Sequence, residues 1–363
     1  IRRNEGIPLH AALDQIASSE GFQNWSDLSR RYAEGSANQA SKAVRRAVGI
    51  ATLSASIATS AFGQEMRSYV DALDRTVEIP VDPQRIHAER DHTIAMPLIE
   101  LEANLVSTVG RYDSEGELFI RAADRIFGTT FENSGLLFVG NPGQTDFEAV
   151  AAARPDLIVM ATDSYDQGVL SNFEAIAPTV VLNSTTQPAL DYYRDLADVA
   201  GRLDSYQAGL AKYEALIGEA RGWLGEPDHT YTKFIVLDDG EIVAFSSYGA
   251  LSIVLEDLGF EMVGPGAELR DAGTFAQRMS IERIQDFDAD YIFDTFQTAA
   301  GDGPQSPFER IEAVLPNYCE LLTACAEGRH IALMREHAFP VSFFTLEANV
   351  HYLVHSIGAQ QVD

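Results

Sequence analysis

Three arginines stand directly after short apolar runs that have the length of β-strands. Arg90 follows RIHAE, Arg111 follows LVSTVG, and Arg335 follows HIALM. A guanidinium keeps its charge and binds oxygen anions with two parallel hydrogen bonds. In an open α/β sheet, side chains just past the carboxyl end of a strand face the ligand crevice. The arginines are therefore candidate contacts for an anionic ligand, and the alternative for each is a solvated surface arginine.

Aromatic residues and a histidine occupy the same kind of position. Tyr165 follows DLIVMA, Tyr248 follows EIVAFSS, Phe296 ends DYIFDTF, and His337 comes shortly after HIALM. Rings in such loops can stack on the apolar parts of a ligand. These four residues complete the predicted ligand-binding set.

Histidines near these loops leave a bare-metal site open as an alternative. His87 and His92 flank one loop, His337 lies near another, and Asp91 and Glu336 stand beside them. Zinc and manganese sites combine His with carboxylates. Gly-x-Ser-x-Gly, Walker and His-Glu-x-x-His motifs do not occur in the sequence, so we predict neither an enzyme nor a cofactor.

The elements that must position these residues follow a regular order. From Arg75 onward, short apolar strands alternate with helical stretches, which is typical of a mostly parallel sheet with helices on both faces. Apolar residues in 191–224 recur at three- and four-residue spacing without Pro, which predicts one helix of roughly 30 residues. The sequence thus predicts an α/β fold with an N-terminal lobe at 64–190, a single linking helix at 191–224 and a C-terminal lobe at 225–363.

Residues 44–63 have the order of a secretory signal. Two arginines precede a mildly apolar run, and Ala61-Phe62-Gly63 offers a small-x-small cleavage site. This pattern predicts a signal peptide, a mature chain that begins near Gln64 and export to the periplasm; a buried Ala-rich helix is the alternative. No Cys follows the run, so we predict no membrane anchor. Residues 1–43 are interpreted as a non-native extension, with a real N-terminal module as the alternative.

The charge balance excludes several classes of partner. The chain has 26 Lys and Arg against 54 Asp and Glu, a net charge of −28. Residues 1–63 hold 7 of the basic and 5 of the acidic side chains, so the remainder has a net charge of −30. Such a surface repels nucleic acid and anionic lipid headgroups.

The two cysteines, Cys319 and Cys325, are a possible disulfide pair. An ideal helix would separate their Cα atoms by about 9 Å, which exceeds the roughly 7 Å limit for a disulfide. A bridge therefore requires that the helix be broken between them. Two cysteines without a nearby His make a poor metal site.

The two predicted lobes share an internal echo. DFEAVAAARPDLIV contains Glu148, SIERIQDFDADYIF contains Glu282, and each Glu precedes an Asp by eight residues, followed by an apolar strand. Both stretches are predicted as helix–turn–strand units at matching points of the lobes. The echo could also arise from shared secondary structure alone.

Several segments, in this order, resemble the substrate-binding proteins of bacterial ABC importers for iron-siderophores, haem and cobalamin. They are IPVDPQRIHAE, GQTDFEAVAAARPDLIVMA, LSNFEAIAPTVVL and LLTACAEGRHIALM. The resemblance spans about Arg75 to Ile357. It implies two Rossmann-like lobes joined by one long helix, with the ligand held between them.

The resemblance also implies a function. The expected protein is a periplasmic, monomeric ferric-siderophore carrier that delivers its cargo to an ABC importer permease. Haem, cobalamin and bare zinc or manganese are the alternative cargoes. In members of the family, one Glu on each lobe pairs with arginines of the permease. The resemblance therefore implies docking roles for Glu148 and Glu282. Related proteins often carry Arg where this chain has Asp163–Tyr165, Tyr248 and Phe296. That departure disfavours a catecholate and leaves citrate-type, hydroxamate or mixed siderophores open.

Overall fold

The computed structural model describes residues 64–164, 166–224 and 229–358. The predicted extension at 1–43, the predicted signal peptide at 44–63 and Tyr165 lie outside these residues. The described residues belong to one compact unit. Along the described stretches, no helix combines the length and the apolarity that a bilayer crossing needs.

The N-terminal lobe is built on a five-stranded parallel sheet. The lobe as a whole contains the strands β1 (Met66–Val70), β2 (Thr76–Pro80), β3 (Ile86–Ala88), β4 (Leu105–Thr108), β5 (Arg111–Tyr112), β6 (Leu118–Phe119), β7 (Leu137–Phe138), β8 (Gly140–Asn141), β9 (Gln144–Thr145), β10 (Leu157–Ala161) and β11 (Thr179–Leu182). The sheet order is β11-β10-β3-β4-β7, and β1-β2, β5-β6 and β8-β9 are antiparallel hairpins. Strand β10 reads LIVMA and is wholly buried, as expected of a parallel strand that is covered on both faces.

Short helices connect these strands. They are α1 (Met96–Glu100), α2 (Ala123–Phe127), α3 (Phe131–Ser134), α4 (Phe147–Ala153) and α5 (Gln167–Glu174), with a π-turn at Asp91–Ala95 before α1 and a 3₁₀ turn at Thr162–Ser164. The π-turn follows β3 directly and carries Asp91 into the interior.

The predicted single linking helix is wrong at one point. Two helices, α6 (Ala189–Val199) and α7 (Leu203–Leu224), occupy the segment. The Arg202 N–H donates to the Ala197 carbonyl (2.7 Å) and the Gly201 N–H to the Asp198 carbonyl (3.0 Å), which is a Schellman motif. Gly201 has φ +67°, a conformation that only Gly adopts without cost, so the chain turns there.

The C-terminal lobe contains a mixed sheet. Its strands are β12 (Thr230–Val236), β13 (Glu241–Phe245), β14 (Glu261–Met262), β15 (Ala276–Ser280), β16 (Tyr291–Phe296) and β17 (His330–Met334). The order is β15-β13-β12-β16-β17, with β14 also paired to β12. Strands β12, β16 and β17 are parallel, whereas β13 runs antiparallel to both β12 and β15. The lobe is therefore α/β as predicted, but its sheet is not all parallel.

Helices cover this second sheet and close the chain. They are α8 (Gly249–Leu258), α9 (Gly264–Asp271), α10 (Ser306–Val314), α11 (Thr323–Ala326), α12 (Arg335–Ala338) and α13 (Phe343–Gly358), with 3₁₀ turns at Ile281–Phe287, Thr298–Ala300 and Tyr318–Glu320. The largest buried apolar cluster includes side chains of both sheets together with α6, α7 and α13. The two lobes are thus connected by a continuous core as well as by the chain.

A disulfide joins Cys319 and Cys325. Their Cα atoms are 4.9 Å apart, because the helical path is interrupted at Leu321 and Leu322 between a 3₁₀ turn and α11. The half-buried cysteines pack against the second apolar cluster, which lies in the C-terminal lobe.

Glu100, at the end of α1, fixes the N-terminus of α13. Its carboxylate accepts hydrogen bonds from the Phe343 N–H (2.8 Å), the Phe344 N–H (2.6 Å) and the Tyr193 hydroxyl (2.5 Å). The Phe343 ring packs on the Tyr193 and Tyr206 rings. These contacts bring together the N-terminal lobe, both linking helices and the last helix of the chain.

We predict that Glu100→Ala lowers the free energy of unfolding by about 2 kcal/mol, because two backbone N–H groups of α13 and the Tyr193 hydroxyl lose their acceptor. Urea denaturation measures the change. Glu219→Ala, at an exposed position of α7, is the control and should change the stability by less than about 0.5 kcal/mol. Equal losses in the two variants would contradict the role assigned to Glu100.

Candidate functional site

An open cleft of about 760 Å³ lies between the two lobes. Its lining comes from the hairpins β5-β6 and β8-β9 on one side and from the segment after β16 on the other. The lining residues are Arg111, Tyr112, Asp113, Ser114, Phe119, Arg121, Asn141, Pro142, Gln297, Ala299 and Ala300. At its edge the Ser114 N–H donates to the Ala299 carbonyl (3.3 Å), so the lobes touch beside the cleft.

Arg111 is held by a buried carboxylate. Its Nε lies 2.6 Å from Asp91 Oδ2 and its Nη2 lies 3.3 Å from Asp91 Oδ1. The His92 Nδ1 is 3.0 Å from the same Oδ1. Burial alone would raise the pKa of Asp91, but the hydrogen bonds and charges of His92 and Arg111 lower it well below its usual value. Asp91 is therefore ionised at neutral pH and fixes one end of Arg111.

Arg335 is held by neutral groups on the opposite lobe. It begins α12, and its Nε donates to the Tyr248 hydroxyl (3.2 Å) while its Nη1 donates to Gln297 Oε1 (3.0 Å). The guanidinium also lies 5.2 Å from the centre of the Phe339 ring. Phe339 in turn stacks on His92 of the first lobe at 5.9 Å. Arg335 is thus positioned without a carboxylate of its own.

A buried ion pair lies behind Tyr248. The Lys233 Nζ is 4.3 Å from the centre of the Tyr248 ring and 3.7 Å from Asp294 Oδ1. Burial lowers the pKa of Lys233 and raises that of Asp294, since each charge has left water. The ammonium below the ring supports Tyr248 in the position where its hydroxyl meets Arg335.

Arg121 is a cleft residue that the sequence analysis missed. It follows β6, and no side-chain hydrogen bond or ion pair holds its guanidinium within the described parts of the chain. Burial, together with the charges of Arg335 and Arg111, lowers its pKa to about 10. The preceding strand has only two residues, so the chain before Arg121 lacks the apolar run that marked the other arginines.

Of the predicted ligand residues, Arg111 lines the cleft and Arg335 lines a small adjoining pocket that Arg121 shares, whereas Arg90, Tyr248, Phe296 and His337 line neither. Arg90 turns toward Asp163, with its Nε 3.7 Å from Oδ2. Phe296 is only 4% exposed at the end of β16, and the next residue, Gln297, faces the cleft instead. The His337 ring lies edge-on to Phe344, and burial lowers its pKa to about 4. Tyr165 lies outside the described residues.

Each histidine considered for a metal site has other partners in the fold. His87 is wholly buried, with Nδ1 3.0 Å from the Ser107 hydroxyl and Nε2 3.3 Å from Glu89. His92 contacts Asp91, and His337 contacts Phe344. Across residues 64–164, 166–224 and 229–358, the structure assembles no group of three His, Cys, Asp or Glu side chains that could hold a metal ion.

Glu148 and Glu282 occupy equivalent local positions. Each is exposed in the first turn of a helical segment. Its backbone N–H donates to the side chain of the capping residue two positions earlier, which is Asp146 in one lobe and Ser280 in the other. Neither carboxylate forms an ion pair with another described residue. Both are free to meet a partner.

The aspartates of the echo match as well. Asp156 accepts the backbone N–H groups of Gln84 (2.8 Å) and Arg85 (2.9 Å), just before β3. Asp290 accepts the backbone N–H of Thr230 (2.8 Å), where β12 begins. In each lobe the aspartate therefore ties its helix–strand unit to the start of the neighbouring strand, and the echo is structural as well as sequential.

Comparison with known proteins agrees with this architecture. The profile of the periplasmic binding protein family matches residues 134–308, from α3 in the first lobe to α10 in the second. The resemblance inferred from the sequence motifs is thereby confirmed.

Two curated relatives come from Bacillus subtilis (strain 168). The iron(3+)-hydroxamate-binding protein FhuD is 26% identical over 253 residues, which cover 68% of this chain and 74% of the relative. The petrobactin-binding protein YclQ is 26% identical over 170 residues, which cover 45% of this chain and 51% of the relative.

Solved structures share the fold at low sequence identity. Staphylococcus aureus SirA complexed with staphyloferrin B has a TM-score of 0.64 at 16% identity, with 82% of this chain and 98% of that chain covered. FhuD2 from Staphylococcus aureus with bound ferrioxamine B has a TM-score of 0.58 at 21% identity, with 77% and 99% covered. Both support the two-lobed α/β architecture.

We predict a pH-dependent contribution of Asp91 to stability. Its folded pKa lies below its unfolded value of 3.8, so its stabilisation is present above that value and is lost as the pH falls below it. Urea denaturation at about pH 5 and pH 3 should show a smaller loss for Asp91→Asn than for the wild type. Asp271→Asn, at an exposed site, should retain the wild-type loss. An identical pH profile for wild type and Asp91→Asn would contradict the prediction.

Proposed function

We propose that this protein captures a ferric siderophore in the cleft between its lobes and delivers it to an ABC importer from the periplasm. The observation that carries the proposal is the cleft itself, which is lined by Arg111 and Arg121 of one lobe and by Gln297 of the other. Arg121 also lines a small adjoining pocket together with Arg335, which donates to Gln297. Tyr112, 55% exposed, and Phe119 provide apolar surface beside the guanidinium groups. Convergent polar groups in a partly apolar cleft are typical of a small-molecule binding site.

The comparisons support the same cargo class. FhuD is named for binding iron(3+)-hydroxamate and YclQ for binding petrobactin, and SirA and FhuD2 were solved with siderophores. The family consists of binding proteins, so the proposed role is capture rather than catalysis. The iron enters as part of the ligand.

We predict that titration calorimetry of the full chain detects at least one ferric siderophore with micromolar or tighter affinity, about −8 kcal/mol or better. The panel contains ferric citrate, ferrioxamine B, ferrichrome, haemin, cobalamin and Zn²⁺. Arg335→Ala should weaken the best siderophore by about tenfold or more. Arg278→Ala, on an exposed strand of the C-terminal lobe, should not. Tight Zn²⁺ binding with no response to any ferric siderophore would overturn the proposal.

The delivery step needs a contact with the permease on each lobe. Glu148 and Glu282 are exposed, lack ion-pair partners among the described residues and lie at equivalent points of the two lobes. Carboxylates at the rim of an interface steer encounter and fix the register of a cationic partner. We propose that these two glutamates dock the protein on arginines of the permease.

We predict that Glu148→Ala and Glu282→Ala leave siderophore affinity unchanged but reduce uptake, and that the double variant reduces it by roughly tenfold, about 1.4 kcal/mol of docking energy. Uptake of radioactive iron in the host at native expression levels is the measurement. Glu309→Ala is the matched control, since Glu309 is exposed in the first turn of α10 but is not part of the echo. Normal uptake by the double variant would show that the glutamates are ordinary helix-start residues.

A further inference from the structure

The Phe339 ring crosses the boundary between the two lobes. Phe339 directly follows α12 of the C-terminal lobe and lines the small pocket that Arg121 and Arg335 share. Its ring stacks on the His92 ring of the N-terminal lobe, with the ring centres 5.9 Å apart and the planes inclined by 27°. This separation is within the range of offset-stacked aromatic pairs. One ring of each lobe therefore meets the other beside the cleft.

On the side of the C-terminal lobe, Phe339 belongs to a closed set of three side chains. The Tyr248 ring meets the Phe339 ring edge-on at 5.0 Å, and the Arg335 guanidinium lies 5.2 Å from the centre of the Phe339 ring. The Tyr248 hydroxyl accepts from Arg335 and lies 3.0 Å from the Thr295 hydroxyl, to which it can donate. Each of the three side chains contacts the other two, so the Phe339 ring limits where the Arg335 guanidinium can lie.

The backbone of Phe339 is fixed as well. Gly249 has φ +52°, and a Cβ at that position would lie 1.7 Å from the Phe339 carbonyl oxygen. Only glycine lets the start of α8 approach this segment so closely. The Phe339 N–H donates to the Arg335 carbonyl (2.9 Å), and the Asn349 side chain of α13 donates to the His337 carbonyl (2.9 Å). The ring therefore belongs to a segment that is anchored on two helices.

On the side of the N-terminal lobe, His92 is held by the carboxylate that also holds Arg111. The Asp91 Oδ1 accepts from the His92 backbone N–H (3.0 Å) and lies 3.0 Å from the His92 Nδ1, while the Arg111 Nε donates to Oδ2. Burial lowers the pKa of His92, so the imidazole that stacks on Phe339 is uncharged at neutral pH. Direct contacts thus connect Arg111 to Arg335 across the lobe boundary, through Asp91, His92 and Phe339.

We propose that Phe339 is a positioning residue of the ligand site, and that its ring sets the distance between Arg111 on one lobe and Arg335 on the other so that a single ligand meets both. The inference rests on the proposed function and adds to it the residue that aligns the two halves of the site. Contact groups that are already in place bind more tightly, because the ligand does not have to order them. The fold does not depend on this ring alone, since the Glu100 cap and the continuous core also join the lobes.

The first measurement is the affinity of Phe339 variants for ferric complexes, by titration calorimetry with the full chain. The probes are ferric citrate, ferrioxamine B and ferrichrome, each titrated separately. For the probe that binds most tightly, Phe339→Leu should weaken binding by about tenfold, because leucine fills similar space but removes the stacked and edge-on ring contacts. Phe339→Tyr keeps the ring and should stay within about threefold of the wild type.

Phe147→Leu is the matched control. Phe147 is a half-buried ring of the N-terminal lobe that pairs edge-on with Phe173 and lines neither the cleft nor the small pocket. Its replacement should leave every affinity unchanged, and thermal melting of each variant reports its folding. Loss of folding in Phe339→Leu would overturn the inference, since the ring would then support the fold rather than align the arginines.

A double-mutant cycle with Arg111 separates alignment of the lobes from local support of Arg335, because Arg111 does not touch Phe339. Arg111→Gln should weaken the wild type by about tenfold but the Phe339→Leu variant by about threefold or less, since a misaligned arginine contributes little. Equal factors in the two backgrounds, or an unchanged affinity in Phe339→Leu, would overturn the inference while leaving siderophore capture intact. Binding of no ferric complex by the wild type would overturn both it and the proposed function.

Discussion

The carboxylate of Glu100 is the contact on which the arrangement of the lobes depends. It belongs to α1 of the first lobe, yet it accepts the backbone N–H groups that open α13, the last helix of the chain. The Phe343 ring that this cap positions packs on Tyr193 and Tyr206. It also lies against Gly209, where a Cβ would come within 2.2 Å of the ring. Burial raises the pKa of Glu100, and the three donated hydrogen bonds offset that cost. The linking helices, the last helix and the first lobe are thereby fixed together, so the two faces of the cleft meet in a defined register.

The sequence predicted the central strands well because they are continuous apolar runs with polar boundaries. LIVMA and HIALM became β10 and β17 with the expected ends. It failed where a local signal competed with periodicity. The apolar spacing across 191–224 is helical throughout, but Gly201 supplies the left-handed residue that a Schellman motif needs, and the chain turns there. The sequence analysis did not predict strand β15 or its antiparallel pairing with β13 either, since this pairing is decided by tertiary contacts rather than by composition.

The sequence identified residues of the site only where they directly follow an apolar run that forms a strand. Arg111 and Arg335 were found because each follows an apolar run, and Tyr248 because it follows β13. Arg121 and Gln297 were missed for different reasons. Arg121 comes after a strand of only two residues, which is too short to give an apolar run in the sequence. Gln297 stands one position beyond Phe296, which the sequence analysis selected instead. Arg90 shares the position of the other arginines, but Asp163 at the end of the adjacent β10 draws its side chain sideways. Which of several strand-end residues faces the cleft depends on such neighbours, and they become adjacent only after the sheet has formed.

The charge pattern assigns different roles to surface and cleft. The whole chain carries a net charge of −28, which acts at long range but is screened beyond about 8 Å at physiological ionic strength. Within the cleft, the arginines act at hydrogen-bond distance, where screening is weak. Asp91 anchors Arg111 with a full negative charge, whereas Arg335 is anchored by the hydroxyl of Tyr248 and the amide of Gln297. Neutral anchors orient a guanidinium without cancelling its charge. The use of one ionic and two neutral partners therefore keeps both arginines in place while three N–H donors of each guanidinium remain open to a ligand.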